Sequence, residues 1–100
     1  MYTMEDLLNL LVRNDGEGLR CHAGEPPVLL RLDEEHVIEG PEISPENAEA
    51  LLREIADERR MGEFQKTGKT GFAFAYREKR FQASARNEGG VIHLELQAFD

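Results

Sequence analysis

Apolar residues recur along this chain with two different periods, and the switches between them outline its elements. Met4, Leu7, Leu8, Leu11 and Val12 fall on one helical face, and Leu10 widens the stripe. Thr3 stands where an N-cap is needed, with Asp6 three residues on, and Asn14-Asp15-Gly16 supplies the stop. The spacing predicts an amphipathic helix over residues 3–14 and a Gly16-Glu17-Gly18 loop. Leu19–His22 is then a short strand. Val28-Leu29-Leu30 with Leu32 is almost continuously apolar and predicts a strand covered on both faces, or nearly so. Asp33–Glu35 reads as a polar turn, His36–Glu39 as a third strand, and Gly40-Pro41 as a break.

Ser44-Pro45-Glu46 opens a second helix, with serine as N-cap, proline in the first position and an acid in the first turn. Its stripe is Ala48, Leu51, Leu52, Ile55 and Ala56, and it is expected to run from residue 45 to about 60, with Met61–Phe64 as a further turn. Thr67–Gly71 reads as a loop. Beyond it the period becomes two. Phe72–Tyr76 alternates large and small, Phe81, Ala83 and Ala85 share one face, and Ile92, Leu94, Leu96 and Ala98 share one face. Arg77-Glu78 has the length of a tight hairpin connection, and Asn87–Gly90 is the next turn. Residues 71–99 form a three-stranded meander. The order helix, three strands, helix, three strands predicts an α+β fold, an antiparallel-rich sheet with helices packed on one face. No repeat, low-complexity run or linker divides it, so residues 1–100 are read as one domain.

The least generic stretch is His22-Ala23-Gly24-Glu25-Pro26-Pro27. Gly24 accepts a positive φ, and Glu25 and Pro26 each precede a proline and are pushed towards extended backbone. Pro27 has no N–H, so it can open a strand but not sit inside a ladder. The stretch is a stiff corner feeding the strand that follows, and Glu25, Pro26 and Pro27 are its candidate interface residues.

Charge and composition narrow the function. With 20 acids against 12 bases the net charge is −8, which repels nucleic acid and anionic membrane surfaces. It would suit a basic partner protein, and solubility alone explains it as well. No apolar run approaches the ~20 residues of a membrane span, and Met1–Asp6 lacks the basic start of a signal peptide. The single Cys21 cannot form an internal disulfide, which fits a cytoplasmic location.

Candidate chemistry is sparse. Gly68-Lys69-Thr70 matches the tail of a phosphate-binding loop, but that loop needs a glycine at position 63, where glutamate stands, and lies between a strand and a helix rather than the reverse. His22, His36 and His93 fall on separate predicted strands, and alternation puts Cys21 and His22 on opposite faces, so no metal site is expected. Cys21 reads as a small buried hydrophobe rather than a nucleophile. No catalytic constellation and no cofactor site emerge. Arg77, Lys79, Arg80 and Arg86 make the one basic cluster. Arg80 and Arg86 share a strand face and could hold a phosphate or an acidic partner, against the plainer reading of charge on a solvated face.

Ala23-Gly24-Glu25-Pro26-Pro27 after a short strand resembles the Ala-Gly-x-Pro-Pro of PilT-type ATPases, the type IV pilus retraction motors within the secretion-ATPase superfamily. The likeness runs through Met4–Val12, Ile43–Ile55, Phe64–Gly68, Gly71–Tyr76, Arg80-Phe81 and Gly89–Val91 in the family's order and spacing. It covers only the family's N-terminal domain, and implies a PAS-like α+β module that packs on a RecA-like ATPase domain, helps build a hexameric ring and moves with nucleotide state. The family's Ser-Asp-Leu-His aligns with Glu17-Gly18-Leu19-Arg20, so its Asp and His are missing. Its Arg-Phe-Arg-x-Asn aligns with Arg80–Ser84, which lacks one arginine and the asparagine, so only Arg80 carries over as a nucleotide-contacting arginine.

The resemblance implies a non-enzymatic interaction or regulatory domain, binding a pilus or secretion motor component through the sheet edge, the Pro-Pro corner or the Arg80 face, or associating with itself. One alternative is the first part of a complete retraction motor whose ATPase domain would begin after Asp100. Another is an acidic dimeric protein like the secretion chaperones, whose terminal helix is replaced here by the meander.

Overall fold

The computed structural model describes residues 1–99. Helix α1 spans Met4–Arg13, and Thr3 caps it by accepting from the Asp6 N–H at 3.2 Å. Strands β1 (Gly18–His22), β2 (Val28–Arg31) and β3 (Glu34–Val37) follow, then helices α2 (Pro45–Ile55) and α3 (Glu58–Thr67), then β4 (Lys69–Tyr76), β5 (Lys79–Glu88) and β6 (Val91–Phe99). All six strands form one antiparallel sheet in the order β3-β2-β1-β6-β5-β4. The helices lie over one face, α2 against β6 and α3 against β4, with α1 against α2.

The single helix expected over 45–60 is two helices. Ala56 is extended (φ −95°, ψ 139°), and Asp57 starts a new helix, its carboxylate accepting from the Arg60 N–H at 2.8 Å. The break turns Met61 and Phe64 back into the core. The expected loop at 67–71 shrinks to a cap: Gly68 is left-handed (φ 83°), donates to the Phe64 carbonyl at 2.8 Å, and the strand starts at Lys69. The turn expected at 33–35 is the pair Leu32-Asp33, both at positive φ, so Glu34 and Glu35 belong to β3. Cover on both faces of β2 holds only at its start. Val28 and Leu29 are buried, whereas Leu32 in the turn is 69% exposed.

The meander matches its alternation. Arg77 and Glu78 at positive φ make the expected two-residue hairpin, as do Gly89 and Gly90, and β5 runs on to Glu88. Inward pairs Leu19↔Leu96, Cys21↔Leu94, Leu96↔Ala83 and Phe81↔Phe74 line the helix-covered face. The N-terminus is tied down by buried Asn47, which accepts from the Tyr2 N–H and donates to the Tyr2 carbonyl, each at 2.9 Å. No helix among the described residues is long and apolar enough to cross a membrane.

Candidate interaction face

The sheet face away from the helices carries the other parity of each strand: Arg20 and His22 on β1, His93, Glu95 and Gln97 on β6, and Arg80, Gln82, Ser84 and Arg86 on β5. A groove of about 470 Å³ crosses its middle, bounded by Glu17, Gly18, Arg20, Asp33, Glu35 and Glu95 among others. Gly18 helps form its floor. A Cβ there would meet the Leu96 carbonyl oxygen at 2.9 Å, so the aspartate that the resemblance aligns with this position does not fit without a backbone shift. Across the groove Arg20 donates to both carboxylate oxygens of Glu35, at 3.1 and 2.9 Å. That bidentate contact raises the Arg20 pKa and holds the Glu35 carboxyl below its ordinary value.

Arg80 and Arg86 do share this face, as parity requires, but the structure does not bring them together. Six residues of extended strand separate them by roughly 20 Å. The Arg80 guanidinium lies 5.0 Å from the centre of the Phe99 ring, beside a second hollow lined by Glu78, Lys79 and Ala98. Arg86 is paired with Glu88, whose carboxyl it holds below the ordinary range. A single phosphate therefore cannot span both arginines.

The corner is stitched to the far segment that leads into α2. Gly24 (φ 93°) donates to the Ile43 carbonyl at 2.7 Å, Ile43 donates to the Glu25 carbonyl at 2.9 Å, and Ile38 donates to the Pro27 carbonyl at 2.9 Å. Glu25 is exposed, Pro26 half-buried and Pro27 wholly buried. Glu25 and Pro26 thus present a surface, while Pro27 anchors it.

At Gly68-Lys69-Thr70 a helix ends and a strand begins, and the buried Thr70 hydroxyl donates to Glu63 at 2.6 Å. That is the reverse of a phosphate-loop context. Cys21 is buried on the helix side, and burial pushes its thiol up to about 12, so it stays protonated at neutral pH.

Sequence spacing kept the three histidines apart. The structure joins two of them, because β1 pairs with β6 and sets His22 opposite His93, ring centroids 4.4 Å apart and edge to face. His22 Nε2 also lies 3.2 Å from a Glu95 carboxylate oxygen. His36 sits apart on β3, 3.7 Å from Glu34. Nothing in the local sequence announces the β1–β6 pairing, since the two histidines are separated by most of the chain.

No family model and no curated protein matches the chain. Solved structures do. The pilus retraction motor PilT with bound ADP superposes with a TM-score of 0.87 and 18% identity, over 100% of this chain and 30% of PilT. The ATPase DotB of Legionella pneumophila superposes with a TM-score of 0.77 and 15% identity, over 99% of this chain and 30% of DotB. The chain thus spans about 30% of the length of each. What is shared is the fold: this chain has the α+β architecture of the N-terminal part of the PilT-type ATPases, as the resemblance implies.

Proposed function

We propose that this chain is a non-catalytic interaction domain of the pilus and secretion ATPase class, acting in the cytoplasm by docking a motor subunit or another protein of that machinery. The observation that carries the reading is the agreement of the whole chain with less than a third of the retraction motor PilT and of the ATPase DotB, in a module with one sheet face left bare of helices. Docking uses that face, with Arg80 and Arg86 as separate contacts for acidic side chains, and the exposed corner Glu25-Pro26. The reversed order of elements around Gly68-Lys69-Thr70 and the protonated Cys21 both support a module without catalysis of its own.

The chain is titrated calorimetrically with ATP, with ADP and with the separately produced RecA-like domain of a PilT-type motor. The reading expects no nucleotide binding at micromolar concentrations and saturable binding of the motor domain, weakened by Arg80→Glu. Micromolar binding of ATP or ADP by the chain alone, or no interaction with any motor domain tested, would overturn it. The 30% share of PilT and DotB favours a second reading, the first part of a complete retraction motor. A reading frame that continues beyond residue 100 into a Walker A motif would establish that reading instead. The chaperone-like alternative has less support, because the meander occupies the place of the terminal helix such proteins use. Light scattering that returned an obligate dimer would revive it.

A further inference from the structure

We infer that the free edge of β4 takes an extended, acidic segment of a partner protein as a further strand of the sheet. The site lies at the margin of the sheet, apart from its bare face, and does not depend on the motor reading. β4 ends the sheet on one side and β3 on the other, so each has a single neighbouring strand. The two edges differ. β3 is 4 residues long and carries Glu34, Glu35 and His36, polar and charged side chains that ward off a further strand. β4 is 8 residues long, and from Thr70 to Tyr76 it has neither a charged residue nor a proline. Natural sheets blunt a long uncharged edge of this kind unless something pairs with it.

The backbone of that edge is open. The Asn87 N–H donates to the Gly68 carbonyl at 2.7 Å, and the two-residue Arg77-Glu78 turn joins Tyr76 to Lys79, so 68/87 and 76/79 are hydrogen-bonded pairs. By alternation 70/85, 72/83 and 74/81 are hydrogen-bonded as well. Gly71, Ala73 and Ala75 therefore turn their N–H and C=O groups away from β5, out of the sheet. At Lys69 the Thr67 hydroxyl meets both backbone groups, at 3.0 and 3.4 Å. Among the described residues nothing reaches those of Gly71, Ala73 or Ala75. All three residues are exposed and small, so no side chain of their own screens these groups. On the helix side Phe74 is only half-buried, stacked on Phe81 with ring centroids 5.5 Å apart, and gives the side chains of an added strand an apolar flank.

Charge selects the occupant. From Phe64 to Asn87 six bases stand against the single acid Glu78, in a chain whose net charge is −8. Lys66 and Lys69 flank the start of β4, and Arg77 and Lys79 flank its end. Lys66 and Lys69 make no ion pair among the described residues. An uncharged ladder between two basic ends fits a segment with acids at both of its ends and apolar residues at alternate positions between them. A second copy of the chain fits less well, since two β4 edges paired antiparallel set the basic start of one beside the basic end of the other.

The full chain is titrated with a synthetic peptide, Asp-Glu-Val-Thr-Val-Thr-Val-Glu-Asp, and with a counterpart in which lysine replaces every acid, and amide exchange is followed by NMR. The site predicts saturable binding of the acidic peptide, much weaker binding of its basic counterpart, and slowed exchange at Gly71, Ala73 and Ala75 with Glu34–Val37 unchanged. Ala73→Pro removes one outward N–H without touching the ladder to β5 and should weaken binding about tenfold, whereas Ala73→Val keeps that N–H and should bind as the parent does. Lys69→Glu combined with Arg77→Glu should also weaken it. Melting curves establish that each variant folds, and the exchange pattern of the parent chain decides if Ala73→Pro does not. Absence of saturable binding at millimolar acidic peptide, equal binding of the basic peptide, unchanged affinity in Ala73→Pro, or slowed exchange elsewhere than along β4 would overturn the assignment. A dimer of the chain alone in sedimentation, abolished by Ala73→Pro, would give the edge to a second copy and overturn it too.

Discussion

Replacing each proline of the corner with alanine, one at a time, separates stiffness from burial as the reason the corner holds. Pro27 is wholly buried, and Pro27→Ala removes two ring methylenes from that site. At about 0.8 kcal/mol per buried methylene this costs about 1.6 kcal/mol. Loss of the ring also frees the unfolded chain, adding about 0.4–1 kcal/mol. The sum is about 2–2.6 kcal/mol. An unfolding entropy of about 2.1 cal/mol/K per residue gives about 0.2 kcal/mol/K for a chain of 100 residues. The melting temperature should therefore fall by about 10 °C. Pro26 is half-buried, so Pro26→Ala loses mainly the entropic part and should lower it by only about 2–5 °C. The hydrogen bond from the Ile38 N–H to the Pro27 carbonyl survives in both variants. Thermal melts followed by circular dichroism, with urea titrations to check that the m-value is unchanged, read the two effects. Equal losses, or a larger loss for Pro26→Ala, would mean that stiffness alone holds the corner and that burial of Pro27 contributes nothing.

Two further predictions test the frame around the site. Asn47→Ala leaves the Tyr2 N–H and carbonyl without their partner and should cost about 2 kcal/mol in urea unfolding, whereas an unchanged midpoint would show that the N-terminus is held otherwise. Cys21 makes stability depend on pH with a definite sign: its folded thiol is raised to about 12 from an ordinary 9.0, so above pH 9 the unfolded chain loses a proton that the folded chain keeps. Stability should fall by up to about 1.4 kcal/mol per pH unit as pH rises through that window, and be unaffected by this group below it. Cys21→Ala should flatten that slope, and an identical slope in both proteins would refute the account.

Elements whose cause is local were legible in the sequence. Thr3 and Ser44 mark the starts of α1 and α2, and both side chains make the capping bonds that their positions imply. The alternation from Phe72 to Ala98 yields the meander, and Arg77-Glu78 is its tight turn. Asp57 was the missed signal. The apolar stripe continued to Ala56 and hid a cap, and capping a second helix there lets Met61 and Phe64 reach the core. Leu32 misled in the other direction, since an apolar residue in a left-handed turn reads as part of a strand until the backbone is known.

The candidate interaction face was legible only in fragments. Parity placed Arg80 and Arg86 on one side of β5, but period-two alternation says nothing of how far apart they stand along it. Likewise it separated Cys21 from His22 correctly without revealing what His22 faces.

The sequence by itself determined the amphipathic helices, the meander, the stiff corner and the acidic, single-cysteine character of the chain. These depend on residues within a few positions of one another, where spacing and caps act directly. The tertiary structure alone decided that β1 lies against β6. That pairing is settled by the joint burial of Leu19 and Cys21 against Leu96 and Leu94, a cooperative contact between distant edges that no local pattern encodes. From it follow the groove, the Gly18 floor and the meeting of His22 with His93.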